Sequence, residues 1–402
     1  MSGFDTARGL WRRALPEALR RQAQPMVARA VRGYVAANLR RGPPDLVDGP
    51  IRVVGLFSAS HGIAGAARLT AEALESLGAP VERVTIAEGF DRAARLPGPT
   101  PAAAWIFHLN PPELPFALAS LGPGRIVGPR YGAWAWELPV APPGWLRDAA
   151  LMDEIWAPSR YTAQALAGAA APVRTSPHPL VLATYDAVEP APRTHAFQAV
   201  ALFDFNSALA RKNPHGALAA FARAFGDDPS VRLTLKTQNG ERFPALLAEL
   251  RAQAPANVEI VDAVWPHGRV LSLIAGADAL ISLHRAEGFG LTLAEAMALG
   301  APVVATAFSG NVDFMDDDCA LLIPAASVAV DDPQGVYRGQ AWAEPDLEAA
   351  AQALIRLRLD PALGLRLAGA ARRRVEAQLA PQPWLLTLPP AVQAAVAAAK
   401  GR

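Results

Sequence analysis

The chain is poor in cysteine and in lysine. Cys319 is its one cysteine, which excludes an intrachain disulfide and removes any sign of an oxidising compartment. Three lysines, Lys212, Lys236 and Lys400, stand beside 35 arginines, so each lysine departs from the chain's habit and asks for a reason. No apolar run approaches the ~18 to 20 residues that cross a bilayer. Residues 1–21 lack an apolar stretch followed by a small-residue cleavage site, so no secretory signal is expected, and a cytoplasmic location is. What is present is an ordinary globular composition, 51% hydrophobic and 19% charged, which excludes disordered and fibrous classes. At 402 residues the chain exceeds one core and predicts two domains of about 150 to 200 residues.

Charge is uneven along the chain. Residues 1–42 hold nine arginines (Arg8, Arg12, Arg13, Arg20, Arg21, Arg29, Arg32, Arg40, Arg41) against Asp5 and Glu17, a net +7. With a formal total of +1, the remainder sums to about −6, and nucleic acid is not an expected partner of the main body. The arm mixes its arginines with Leu10, Trp11, Leu15, Leu19, Met26, Val27, Val31, Tyr34 and Val35, and Pro16 and Pro25 are expected to break it into short helices. Two readings fit: peripheral contact of residues 1–42 with an anionic membrane surface, or an apolar side packed on the body with the arginines solvated.

From residue 51 apolar runs alternate with helical patterns. Ile51 to Phe57 reads as a buried strand, followed by a helix from Ala64 to Leu77 and a strand from Val81 to Ile86. Further strands are expected at Ala102 to His108, Arg125 to Pro129 and Glu154 to Ala157, with a helix from Ser159 to Leu166 capped by Ser159. Pro177 to Thr194 reads as a linker. The alternation then restarts: strand Ala199 to Phe205, helix Pro214 to Phe225, strand Val231 to Lys236, strand Val258 to Val261, helix Gly268 to Ile274, strand Ala279 to Leu283, helix Leu293 to Leu299, strand Pro302 to Thr306. Such alternation means α/β architecture, with mainly parallel sheets covered by helices. The expected division is a basic arm (1–49), a first Rossmann-like domain (50–185), a second (195–378) and a tail (379–402) crossing back to the first. Ligands of open α/β sheets bind beyond the carboxyl ends of strands, so the residues after each strand carry the chemistry.

The segment after Leu283 runs His284-Arg285-Ala286-Glu287-Gly288-Phe289-Gly290-Leu291-Thr292-Leu293-Ala294-Glu295. Two glycines between a strand and a helix let backbone approach a ligand, and the helix start offers N–H groups to an anion. Glu287 and Glu295 can accept hydrogen bonds from ribose or sugar hydroxyls. Thr292-x-x-Glu295 also fits a capping box, which would occupy Glu295 without any ligand. Asp316-Asp317-Asp318 reads as a solvated turn rather than a metal site, and no metal or resident cofactor is expected.

These residues resemble the retaining glycosyltransferases of family 4, which have the GT-B fold of two Rossmann-like domains facing each other across a cleft. Glu287 and Glu295 stand at that family's Glu-x7-Glu spacing, and the text from Glu287 to Ala305 looks like its donor motif. The resemblance covers roughly residues 51 to 378. It implies that Glu295 binds the nucleotide ribose, Glu287 binds sugar hydroxyls, and the backbone of Gly288, Phe289, Gly290, Leu291 and Thr292 holds the diphosphate. Phe203-Asp204-Phe205-Asn206-Ser207 followed by Arg211-Lys212-Asn213-Pro214 is similar to the start of the family's donor domain, where the lysine matching Lys212 contacts the diphosphate. His61-Gly62-Ile63-Ala64-Gly65 looks like its glycine-bearing first loop, with Gly62 at the substrate, and His108 matches its active-site histidine. Glu137 reads either as lining the acceptor side or as a paired carboxylate. One departure stands out: many members carry an arginine where this chain has Asn206, so Arg211, Lys236 or Arg285 is expected to supply the second cation.

The implied activity is transfer of a sugar from a nucleotide-diphosphate sugar to a saccharide, lipid-linked or other acceptor, with retention, in cell-surface polysaccharide or glycolipid synthesis. Two alternatives share the fold: a non-catalytic nucleotide-sugar-binding protein, and a sugar phosphorylase or epimerase, of which the phosphorylase would need a lysine carrying pyridoxal phosphate.

Overall fold

Ile51–Gly55 and Val303–Thr306 are buried along their whole length, as strands covered by helices on both faces must be. In a computed structural model, which describes residues 17–40, 49–86 and 96–400, they belong to two separate six-stranded sheets. The first comprises β1 (Ile51–Gly55), β2 (Val81–Thr85), β3 (Ala104–Phe107), β4 (Arg130–Ala133), β5 (Glu154–Ala157) and β6 (Val173–Thr175), in the order β2-β1-β3-β4-β5-β6. The second comprises β7 (Phe197–Asp204), β8 (Val231–Gln238), β9 (Val258–Asp262), β10 (Ala279–Ser282), β11 (Val303–Thr306) and β12 (Leu321–Ile323), in the order β9-β8-β7-β10-β11-β12. Every pairing in both sheets is parallel. The order reverses beside β1 and beside β7, which opens a crevice at the carboxyl end of each sheet.

Most elements begin and end within two residues of the sequence expectation, and the helix Pro214–Phe225 matches it at both ends. The strand expected at Arg125 to Pro129 is present only as Ile126–Val127, which pairs in parallel with Thr100–Pro101 in a small separate sheet, and the main sheet takes Arg130–Ala133 instead. Gly128 takes a positive φ of 119° and Pro129 has no N–H for a ladder, so the two stretches are separated there.

The N-terminal arm is corrected in part. Pro25 lies inside one helix, Glu17–Asn38, rather than at a break. Val31 and Val35 pack with Leu114, Leu118 and Leu121, and Arg32 pairs with Asp148 at 2.8 Å; packing of that half sustains the helix despite the backbone bond that proline removes. The arm's residues 1–16 and 41–42 lie outside the described residues.

Two features join the lobes. The helix Pro361–Leu379 packs Ala371, Val375 and Leu379 on the second lobe. The chain then returns, and Trp384, Leu388, Val392 and Val396 enter the first lobe's core beside Ile51, Val53 and Leu74. The other feature, unforeseen in the sequence, is an antiparallel hairpin, β13 (Ala325–Ala329) and β14 (Ala341–Pro345). It buries Tyr337 and Trp342 with first-lobe Leu138 and second-lobe Ala208 and Ala286.

Candidate active site

A cavity of about 950 Å³ opens between the lobes. Residues that follow strands line it: Leu56 after β1, His108 after β3, Trp134 after β4 and Pro158 after β5 from the first lobe, with Glu287 to Thr292 from the second.

Local chain chemistry sets the second-lobe wall. The short helix Leu209–Lys212 stops at Asn213, which takes the left-handed conformation (φ 51°). There its side chain caps the next helix through Gly216 N (3.1 Å) and donates to Leu283 O (2.8 Å). Pro214 occupies the first helical position, where no N–H is needed. This stop carries Lys212 to the Glu287 carboxylate, with which its ammonium pairs directly. Arg211 lies beside it, buried, with Nη1 2.7 Å from Ala286 O and 3.2 Å from Glu287 Oε2. Glu287 is only 8% exposed. Burial pushes its carboxyl up, but Lys212 and Arg211 outweigh burial and hold it at about 2.

The donor loop follows. Glu287 N donates to Ser309 Oγ (2.8 Å), and Glu287 O accepts from Gly310 N (2.9 Å). Gly290 caps the helix Leu291–Leu299 with φ 94° and no side-chain bond, which is why glycine stands there. The backbone N–H groups of residues 288–292 donate no hydrogen bond within the described residues. All five residues line the cavity.

The capping-box reading of Glu295 fails here. The cap is Gly290, so Thr292 already sits inside the helix and offers no cap oxygen. The Glu295 carboxylate turns instead to His267, with Oε1 2.9 Å from Nε2; that bond raises the His267 pKa despite burial.

The three cations expected to replace the missing arginine part company. Arg285 does not line the cavity: it holds Glu344 at 2.6 and 3.0 Å, donates to Ala210 O at 2.7 Å, and lies over Trp342. Its role is to fasten the hairpin. Lys236 reaches the cavity, yet its ammonium donates to Thr237 O (2.8 Å) and Ala263 O (2.5 Å) near the Trp265 ring, and burial lowers its pKa. Arg211 remains beside the donor loop.

On the first-lobe wall His108 is 3% exposed and its Nε2 is buried without a partner. Burial, with His178 nearby, lowers its pKa to about 3. His178, which the sequence reading missed, sits in the linker with its ring edge-on to Phe289 (4.9 Å) and a pKa lowered by burial to about 4. Gly62 lines the cavity, but a Cβ there meets nothing within 4 Å, so space does not demand glycine. Glu137 also lines the cavity, and Oε2 accepts from Tyr337 Oη at 3.0 Å. Only its proximity to aromatic residues could have hinted at this in the sequence. Among the described residues no three His, Cys, Asp or Glu side chains form a group able to hold a metal.

Two parallel-sheet lobes closing on a cleft define the GT-B fold. Residues 202–330, about a third of the chain and including the donor loop, match the family model described as Glycosyl transferases group 1. No curated protein sequence matches. Among solved structures, HepE of Anabaena in complex with UDP-glucose is 14% identical, with 88% of this chain and 100% of that one aligned at a TM-score of 0.59. Sucrose-phosphate synthase of Thermosynechococcus elongatus is 17% identical over 88% and 99%, at 0.57. TarM is 12% identical, at 0.52, over 71% of this chain and 53% of its own, so the chain spans about half the length of that protein. At such identities the likeness is one of fold.

Proposed function

We propose that the protein is a retaining glycosyltransferase that uses a nucleoside-diphosphate sugar. The observation that carries this is the run of unpartnered amides at residues 288–292, which line the cavity together with Lys212 and Arg211. Amides at a helix start with adjacent cations suit a diphosphate. The Glycosyl transferases group 1 domain and the fold shared with HepE support the reading.

In the proposed reaction the bond between the sugar's anomeric carbon and the diphosphate oxygen breaks while the acceptor oxygen bonds to that carbon on the same face. The acceptor proton passes to the departing phosphate oxygen. Negative charge grows on the diphosphate, where Lys212, Arg211 and the loop amides stabilise it. Glu287 offsets one of the two positive charges and orients sugar hydroxyls. Neutral His108 does the same from the opposite wall, and Glu295 takes the ribose. Because side chains and amides supply the neutralisation, the reaction is proposed to run without a metal. The acceptor is proposed to be a saccharide or lipid-linked intermediate of cell-surface polysaccharide or glycolipid synthesis in the cytoplasm, with residues 1–42 touching an anionic membrane face.

The test is a thermal-shift series with UDP-, GDP- and ADP-glucose, followed by sugar transfer or donor hydrolysis with and without EDTA. A donor at 100 times its dissociation constant stabilises by about 2.7 kcal/mol. Activity is expected to survive EDTA. No shift and no turnover with any donor would sink the function; loss in EDTA restored by magnesium would sink the metal-free reading alone.

A further inference from the structure

The first lobe grips the donor loop at one peptide group. Ser159 caps the helix Arg160–Ala165, its Oγ accepting from Thr162 N at 3.1 Å. The same hydroxyl donates to Gly288 O, 2.6 Å away in the other lobe. Ser159 therefore uses its one hydrogen and an oxygen lone pair at once, and it is fully buried. Thr162 Oγ1 is 2.8 Å from Trp136 O and 3.1 Å from Gly288 O; its single hydrogen favours the nearer oxygen, which leaves Ser159 as the main donor to Gly288. Gly310 presses on this peptide, since a Cβ there would lie 2.3 Å from Gly288 O. A Cβ on Gly288 would stand 3.1 Å from Trp136 O. On the outer side Arg160 N and Nε bind Asp313 at 2.6 and 3.0 Å.

A trans peptide is planar, with its C=O and N–H antiparallel, and no cis peptide bond occurs among the described residues. Holding Gly288 O toward the first lobe thus fixes the direction of Phe289 N–H and the path of the backbone into the amides that follow. We propose that Ser159 is a positioning residue for the donor diphosphate, acting through the Gly288–Phe289 peptide. The proposal rests on the reading of residues 288–292 as the diphosphate cradle and deepens it: docking of the first lobe aims amides that belong to the second. Lobe docking and diphosphate binding then strengthen each other by the same factor, as linkage requires. As an N-cap alone, Ser159 would touch only stability.

Calorimetric titration of the full chain with UDP, GDP and ADP tests this in Ser159→Ala, Ser159→Thr and Asp313→Asn. With whichever nucleotide the unaltered protein binds, Ser159→Ala is expected to weaken affinity about tenfold. Ser159→Thr, which restores the hydroxyl, should stay within about twofold. Asp313→Asn should weaken affinity about threefold at low salt, less at high salt where the ion pair is screened. If Ser159→Ala lowers Tm but binds the nucleotide like the unaltered protein, Ser159 is a cap only and the coupling is wrong. Should Ser159→Ala not fold, unchanged affinity of Asp313→Asn at low salt overturns it instead. An unaltered protein that binds none of the three nucleotides overturns the proposed function and this coupling with it.

Discussion

The two walls of the cleft treat their buried and half-buried ionisable groups in opposite ways. On the first-lobe wall burial prevails: His108 is driven down to about 3 and linker His178 to about 4, while the Glu113 carboxyl is pushed up. On the second-lobe wall burial acts on Glu287 in the same sense but is overruled by Lys212 and Arg211, and the carboxylate stays charged. Counter-charge within contact distance makes the difference. One wall consequently keeps its buried carboxylate charged among cations, whereas on the other the buried histidines are neutral. That asymmetry suits a reaction in which one product leaves as an anion and the other is a polyol.

Removing the counter-charge breaks the contrast most severely. Lys212→Ala is expected to cut turnover of the accepted nucleotide sugar by roughly 100-fold, about 2.7 kcal/mol of transition-state stabilisation, with the fold retained by circular dichroism. Near-normal nucleotide release by the variant would remove Lys212 from the chemistry. A smaller effect is expected at the ribose end. Glu295→Gln keeps an oxygen for His267 but loses the charge, so nucleotide affinity should weaken about tenfold; a variant that loses only Tm would make Glu295 a structural residue.

The smallest effect sharpens the first-lobe side of the comparison. Between pH 6.5 and about 3 the unfolded chain protonates His108 while the folded chain does not. Stability therefore rises with pH across that window and is lost as pH falls. His108→Gln removes this contribution, so its urea midpoint should drop less between pH 7 and pH 4.5 than that of the unaltered protein. Parallel declines would show that His108 is already charged when folded.

The second-lobe wall was far more legible in the sequence than the first-lobe one. Local rules speak for it: two glycines after a strand, a rare lysine before Asn-Pro, a glutamate in the loop between them. The βα alternation likewise placed most strands, because buried parallel strands are continuous apolar runs. Thr292 and Glu295 misled because their spacing fits a capping box as well as a ligand site, and the choice turned on Gly290 adopting φ 94° one residue before the helix. His178, Tyr337 and the bond from Ser159 to Gly288 lie in contacts between segments more than a hundred residues apart or in a linker without periodicity. No local pattern encodes such pairings. The hairpin was invisible for another reason: the burial of Tyr337 and Trp342 comes largely from Leu138, Ala208 and Ala286, all distant in sequence.

The returning C-terminal segment has a consequence for how the molecule is made. Trp384, Leu388, Val392 and Val396 complete the core around Ile51, Val53 and Leu74, so the first lobe, made before them, lacks part of its interior until residues 384–396 emerge. At ~5 to 20 residues per second, synthesis of the intervening second lobe takes roughly 10 to 40 s. Throughout that interval an apolar face of the nascent first lobe stays uncovered, and its core closes only when residues 384–396 arrive.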